Sequence, residues 1–191
     1  MKQLLVFLCL LSLLAPLPAP AQTVQLKPAT TDAGYIARLL INEAPFPGER
    51  GWLSETDTKA TMLAILWVLN SRIDHIPPGY RQEQIAAVRT SDIIDVITVG
   101  GEKGQCDGFY RDAMGTPRAV SRVHERIDYL TKIGNDGKPG KFARLLNYGQ
   151  GLADAYEHGG IKEADKFATL HQVGSIRAVS YTHLRAHETN E

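Results

Sequence analysis

The chain has 191 residues, enough for one domain, and its 43% hydrophobic and 22% charged residues are the balance of a protein that folds around a core. Formal net charge is zero, and with Lys2 set aside 20 basic residues face 21 acidic ones. That excludes the basic footprint of a protein that binds nucleic acid or anionic lipid.

Residues 1–21 read as a secretory signal peptide. Lys2 is its positive end, and Leu4 to Leu14 form an apolar stretch too short to span a bilayer comfortably. Ala19-Pro20-Ala21 fits a small-residue cleavage site, which would leave Gln22 first. Cys9 lies inside the apolar stretch without the small residues of a lipoprotein processing site, so the expectation is export with no stable membrane anchor after cleavage. Cys106 is then the only cysteine, no internal disulfide can form, and the core must hold the domain. Cys106 itself reads as a half-buried structural thiol rather than a nucleophile, because no nearby histidine is placed to activate it.

Residues 22–31 are polar and extended, a short tether. A helix is predicted next, over 32–44, DAGYIARLLINEA, with Asp32 as its N-cap. Ile36, Leu39, Leu40 and Glu43 share one face of it. A carboxylate on an apolar face in a helix's last turn is costly as an anion. Desolvation and the negative end of the helix dipole are expected to raise the pKa of Glu43. A carboxyl that keeps its proton near neutral pH suits general-acid cleavage of a glycosidic bond. The competing reading leaves Glu43 in solvent, as most glutamates are.

Pro45 and Pro47 end that helix, and the Ser54–Asp57 cluster caps the next, over 58–75. Met62, Leu63, Ile65, Leu66, Trp67, Val68, Leu69 and Ile73 cover nearly every face of it, which places it at the centre of the domain. Pro77-Pro78-Gly79 stops it. A short helix is predicted over 82–88, and another, DIIDVITV, capped by Ser91 and ended by Gly100-Gly101. After the loop 102–115, Thr116-Pro117 reads as the N-cap and first turn of a helix over 117–133, with Val120, Val123, Ile127 and Leu130 on one stripe. His75 and His124 have no second ligand at metal spacing and are read as surface or packing residues; no metal or cofactor is expected. Residues 135–141, NDGKPGK, form a turn. Phe142 to Tyr156 suggest one more helix, which Gly149 and Gly151 weaken or break and Gly159-Gly160 cap. A last short helix is predicted over 164–172.

There are no repeats and no convincing strands, so the expected class is all-α, one helical domain over 32–178 around the central apolar helix. From Val179 the sequence VSYTHLRAHETNE has neither apolar periodicity nor capping logic, and it resembles a translated sequencing adapter. Residues 179–191 are therefore expected to be a non-native tail replacing the natural C-terminus, and His183 and His187 are not read as ligands.

Three stretches carry a family resemblance: Glu43-Ala44, LAILWVLNSRI at 63–73, and TSDIIDVITVGGEKGQCDGF at 90–109. Over about residues 35–110 the chain resembles the spore-cortex and cell-wall hydrolase family. That family pattern is a Glu-Ala pair ending a helix, a glycine-rich turn, an apolar helix ending in Asn-Arg, and a short helix leading to a Gln-Phe-Ser-Cys-like loop. Leu63 to Leu69, Asn70 with Arg72, Ile94, Val96 and Gln105-Cys106 fit it. Three features depart: the loop after Glu43 is longer, Ser71 separates Asn70 from Arg72, and GQCDGF stands where an aromatic-Ser-Cys is expected.

The resemblance implies a lysozyme-like, lytic-transglycosylase-type fold, a place in the bacterial envelope (periplasmic or extracellular), and peptidoglycan glycan strands as substrate. Glu43 would be the catalytic acid that protonates the glycosidic oxygen while positive charge builds at the anomeric carbon. A lytic transglycosylase needs no second carboxylate, since a sugar hydroxyl attacks and the same glutamate takes its proton. A hydrolase needs one about 5–5.5 Å away for retention, or farther for inversion. Glu49, Glu55, Asp57 and Asp107 are the candidates, each also readable as a loop charge or helix cap. Asn70 would support the cleft floor. Arg72 would pair with Glu43 or a nearby acid, and pairing with Glu43 would count against the acid role. Tyr110 and Tyr148 are candidates for stacking on sugar, or for the core. The alternative is a non-catalytic exported helical domain that binds cell-wall glycan or an envelope protein, and a third reading is purely structural. What separates them is whether Glu43 lines a groove or is capped by a basic side chain.

Overall fold

In a computed structural model, residues 23–136 and 140–171 are described. The signal peptide, part of the 135–141 turn, Gln172, and the tail with His183 and His187 lie outside those residues. The elements in order are α1 (Asp32–Glu43), α2 (Glu55–Asp74), α3 (Gln82–Ala86), α4 (Ile93–Thr98), a 3-10 turn (Gly101–Lys103), β1 (Phe109–Arg111), β2 (Pro117–Ala119), α5 (Ser121–Asn135) and α6 (Lys141–Leu170). The fold is mainly helical.

Local chemistry sets the helix starts. Thr31, not Asp32, caps α1, its Oγ1 accepting from the Gly34 N–H at 3.1 Å; Asp32 sits in the first turn, where a negative charge suits the dipole. Ser54 caps α2 by accepting from the Asp57 N–H at 3.1 Å. Asp92, not Ser91, caps α4 through the Ile94 N–H at 2.9 Å. As its pattern predicts, α2 is central: Met62, Leu63, Leu66 and Leu69 are buried and Ile65, Trp67 and Ile73 pack against the core.

The expectation of no strands is corrected. Residues 117–119 do not open a helix. They pair antiparallel with 109–111, Phe109 opposite Ala119 and Arg111 opposite Pro117. Pro117, which has no N–H to give, takes the end position of this two-stranded ribbon, and α5 begins only at Ser121. Tyr35 of α1 fastens the hairpin, donating its hydroxyl to the Arg118 carbonyl at 2.8 Å and meeting Phe109 edge to face at 5.5 Å.

The spine is α6, which packs on α1, α2 and α5. It runs unbroken through Gly149 and Gly151, so of the two readings, weakened or broken, the break at these glycines is corrected. A Cβ on Gly149 would stand 3.0 Å from Ile41 Cγ1, so the glycine lets α6 close on α1. The break comes at Gly159-Gly160, where Gly160 has φ 65°.

Residues 23–31 are not a loose tether, and they end in a turn closed by the Thr31 N–H on the Pro28 carbonyl at 3.1 Å. Val24 is buried. The Val24 N–H donates to Asn135 Oδ1 at 2.9 Å, Gln25 to Asn147 Oδ1 at 3.1 Å and Lys27 to Gln150 Oε1 at 2.9 Å. This strap lies against α5 and α6.

Candidate functional site

Ile36, Leu39 and Leu40 turn into the core as their spacing requires, but Glu43 does not go with them: it is exposed. Ala44 and Phe46, just beyond the helix, fill the space below it and are completely or nearly completely buried. The burial expected of the Glu43 side chain is therefore not found.

The helix dipole is answered as well. The last turn of α1 has no basic residue of its own, yet Arg126 reaches it from α5. Its Nη1 donates to the Ile41 carbonyl at 2.6 Å and its Nη2 to the Ala44 carbonyl at 3.1 Å. The same guanidinium grips Glu49 with Nε at 3.1 Å and Nη2 at 2.6 Å, and its carbon lies 5.6 Å from the Phe46 ring centre. Glu49 Oε2 also accepts the Phe46 N–H at 2.7 Å.

Above this joint lies a cleft of about 580 Å³, lined among others by Glu43, Glu49, Arg50, Leu53, Asp57 and Arg126. Glu43 accepts from Asn42 Nδ2 at 3.0 Å. Among the described residues it has no ion-pair partner. It therefore lines a groove without a basic cap.

The four candidate second carboxylates divide. Glu49 and Asp57 share the cleft with Glu43, but Glu49 accepts three hydrogen bonds, two from Arg126 and one from the Phe46 amide. Asp57 accepts from the Ser54 hydroxyl at the start of α2. Glu55 and Asp107 do not line the cleft. Glu55 is bound by Arg144 at 2.9 Å and Lys59 at 3.3 Å, and the Arg144 hydrogen bond, with help from Lys59, holds its carboxyl below the usual carboxylate range. Asp107 pairs on the surface with Arg122 at 2.7 Å.

Asn70 is buried away from the cleft lining. It donates to Asp74 Oδ2 at 3.1 Å and accepts the Tyr156 hydroxyl at 2.8 Å, tying α2 to α6. Arg72 donates to the Gln105 side chain, whose Nε2 in turn donates to the Ala86 carbonyl at 3.0 Å; it is not paired with Glu43. Burial pulls the Arg72 pKa below its usual value. Cys106 is buried, and its thiol is pushed up to about 12 by burial first and then by the charge of Glu43, against the opposing pull of Arg72. Cys106 is thus within electrostatic reach of both Glu43 and Arg72. The thiol is inert at neutral pH.

Neither tyrosine serves as a stacking platform on the cleft. Tyr148 is buried in α6 against Phe167, ring centres 5.5 Å apart, which is the core reading of it and not the stacking one. Tyr110 is half-buried on β1 and does not line the cleft. His75 and His124 are exposed. Among the described residues no group of three or more His, Cys, Asp or Glu could hold a metal ion, and no helix is long and apolar enough to cross a membrane. Arg126 is absent from every sequence-level expectation, because its partners lie 77 to 85 residues away in the chain.

Comparison with family models, curated proteins and solved structures gives no match to this chain.

Proposed function

We propose that the chain is an exported enzyme that cleaves peptidoglycan glycan strands in the bacterial envelope, on a lysozyme-like helical fold, with Glu43 as general acid. The observation that carries this is Glu43 itself: a carboxyl at a helix end, on the wall of a cleft, with no basic partner among the described residues. A glycan laid across the cleft would cover Glu43 and exclude water from it, supplying on binding the desolvation that favours the protonated acid. Glu43 then gives its proton to the glycosidic oxygen as the bond to the anomeric carbon breaks. The engagement of Glu49 by Arg126 favours the path that uses one carboxylate. In that path a hydroxyl of the same sugar attacks the anomeric carbon, Glu43 takes the proton back, and the product carries an anhydro ring.

A second reading, a binding domain without chemistry, draws support from the exposure of Glu43. The test is product mass analysis on purified peptidoglycan with the wild type and Glu43→Gln, which keeps the shape and removes the proton donor. Anhydro-muropeptides from the wild type alone support the lytic path. Reducing-end products from the wild type alone support hydrolysis and point to Asp57. Retention of the glycan without cleavage by either protein supports the binding reading.

A further inference from the structure

We infer that Arg126 is the positioning residue that fixes where Glu43 stands, and that Glu49 is the counter-ion of Arg126 rather than a reacting carboxylate. The consequence for catalysis rests on the cleavage reading above; the anchoring does not.

Pro45 creates the need for such an anchor. In a continuing helix the Ile41 carbonyl would accept from the N–H four residues on, but Pro45 has none. The chain also turns away at once, Ala44 being extended with φ −87° and ψ 141°. Ile41 and Ala44 flank Glu43, so the residue proposed to carry the proton sits on a turn whose carbonyls lack helical donors. One guanidinium supplies them, at 2.6 and 3.1 Å. Its remaining donors hold Glu49, which through the Phe46 amide fixes the first residues of the loop. Val123 and Ile127, buried on α5, seat the stretch of helix from which Arg126 reaches. Serving two carbonyls and a carboxylate at once requires a planar fork of donors, which lysine lacks. Glu49 accepts three hydrogen bonds from Arg126 and the Phe46 amide, which turn its carboxylate toward the joint as the partner of the guanidinium.

The experiment compares the full chain as wild type, Arg126→Lys, Glu49→Gln and Glu43→Gln. It reads residue-resolved amide hydrogen exchange and steady-state cleavage of peptidoglycan. In Arg126→Lys the Glu43 and Ala44 amides are expected to exchange at least about tenfold faster, while those of Leu39, Leu40 and α2 keep wild-type rates. There kcat falls about 10- to 100-fold with KM within about twofold, the mark of a misplaced acid. Glu49→Gln keeps both carbonyl bonds and loses less than about tenfold in kcat, whereas Glu43→Gln yields no product. Unchanged exchange at residues 43 and 44, a uniform rise throughout the core, or a raised KM with intact kcat would overturn the positioning role. Glu49→Gln as dead as Glu43→Gln would make Glu49 a reacting group and overturn the counter-ion role. If Arg126→Lys does not fold, Glu49→Gln decides: wild-type exchange at Ala44 with activity retained supports the inference, and complete loss of activity overturns it. A wild type that cleaves nothing, with local loosening in Arg126→Lys, supports the anchor and refutes the cleavage reading.

Discussion

At Cys106 burial governs both reactivity and stability. The thiol is pushed from 9.0 up to about 12, so at pH 8 its thiolate fraction is about a thousandfold below that of a free thiol. Native protein is expected to react with iodoacetamide slower than unfolded protein by about that factor, in a timed alkylation with mass analysis as the readout. The same shift has a stability consequence of fixed sign. Between pH 9 and about 12 the folded state keeps a proton that the unfolded state has lost, so stability falls as pH rises through that window. Tyr156, pushed up to about 12 mainly by burial, adds to the fall in the same direction. Urea unfolding at a series of alkaline pH values should show a shallower decline in Cys106→Ala. That this thiol is structural was legible, because nothing in the sequence offered to activate it; the sequence had it half-buried, and the structure buries it. The environment of Glu43 was not. The stripe Ile36, Leu39, Leu40, Glu43 is a local fact of helical geometry, but whether its last member is covered depends on the residues beyond the helix. Ala44 and Phe46 drop into the core and leave Glu43 above them.

Between elements, the ion pair that joins α2 to α6 gives a prediction in the acid range. Arg144, and secondarily Lys59, hold the Glu55 carboxyl below the usual range. A depressed carboxyl contributes stability above its unfolded value and loses it as pH falls through the folded one. Arg144 is 43% exposed in its side chain, so water screens the pair and the contribution is about 0.5–1 kcal/mol. Glu55→Gln should be less stable by that amount at pH 7 and match the wild type in acid, as read from urea midpoints. A sharper effect is expected where the strap crosses α1. A Cβ on Gly34 would lie 2.1 Å from the Pro28 carbonyl oxygen, a backbone atom that cannot step aside. Gly34→Ala should cost about 2 kcal/mol or more despite the better helix propensity of alanine, and a thermal melt would read it. Such crossings leave no trace in a linear pattern. The hairpin escaped for a related reason. Strands of three residues are too short to display alternation, and Thr116-Pro117 is as good a helix opening as a strand end until Arg111 is found opposite Pro117.

For the molecule as a whole, α6 and the strap form a unit that reaches the helix carrying Glu43. Gln150 is 5% exposed and works in both directions, accepting the Lys27 N–H at 2.9 Å and donating to Asp154 at 2.9 Å. Lys27 in turn pairs with Asp154 at 2.9 Å, and its carbonyl accepts from Arg38 of α1 at 2.7 Å. Gln150→Ala would leave a strap amide and a carboxylate each short of a partner, a loss of about 1–2 kcal/mol. The loss should be local. In residue-resolved hydrogen exchange the amides of Val24, Gln25 and Lys27 are expected to open before the core. Leu152→Ala, a cavity in the buried face of the same helix, should instead cost about 2–5 kcal/mol and lower protection everywhere together. The contrast matters because the two variants sit less than one helical turn apart on α6. If Gln150→Ala lowered protection across all helices in step with Leu152→Ala, the strap would be part of the single cooperative core. Selective opening would make it a separable brace holding α1 against the spine.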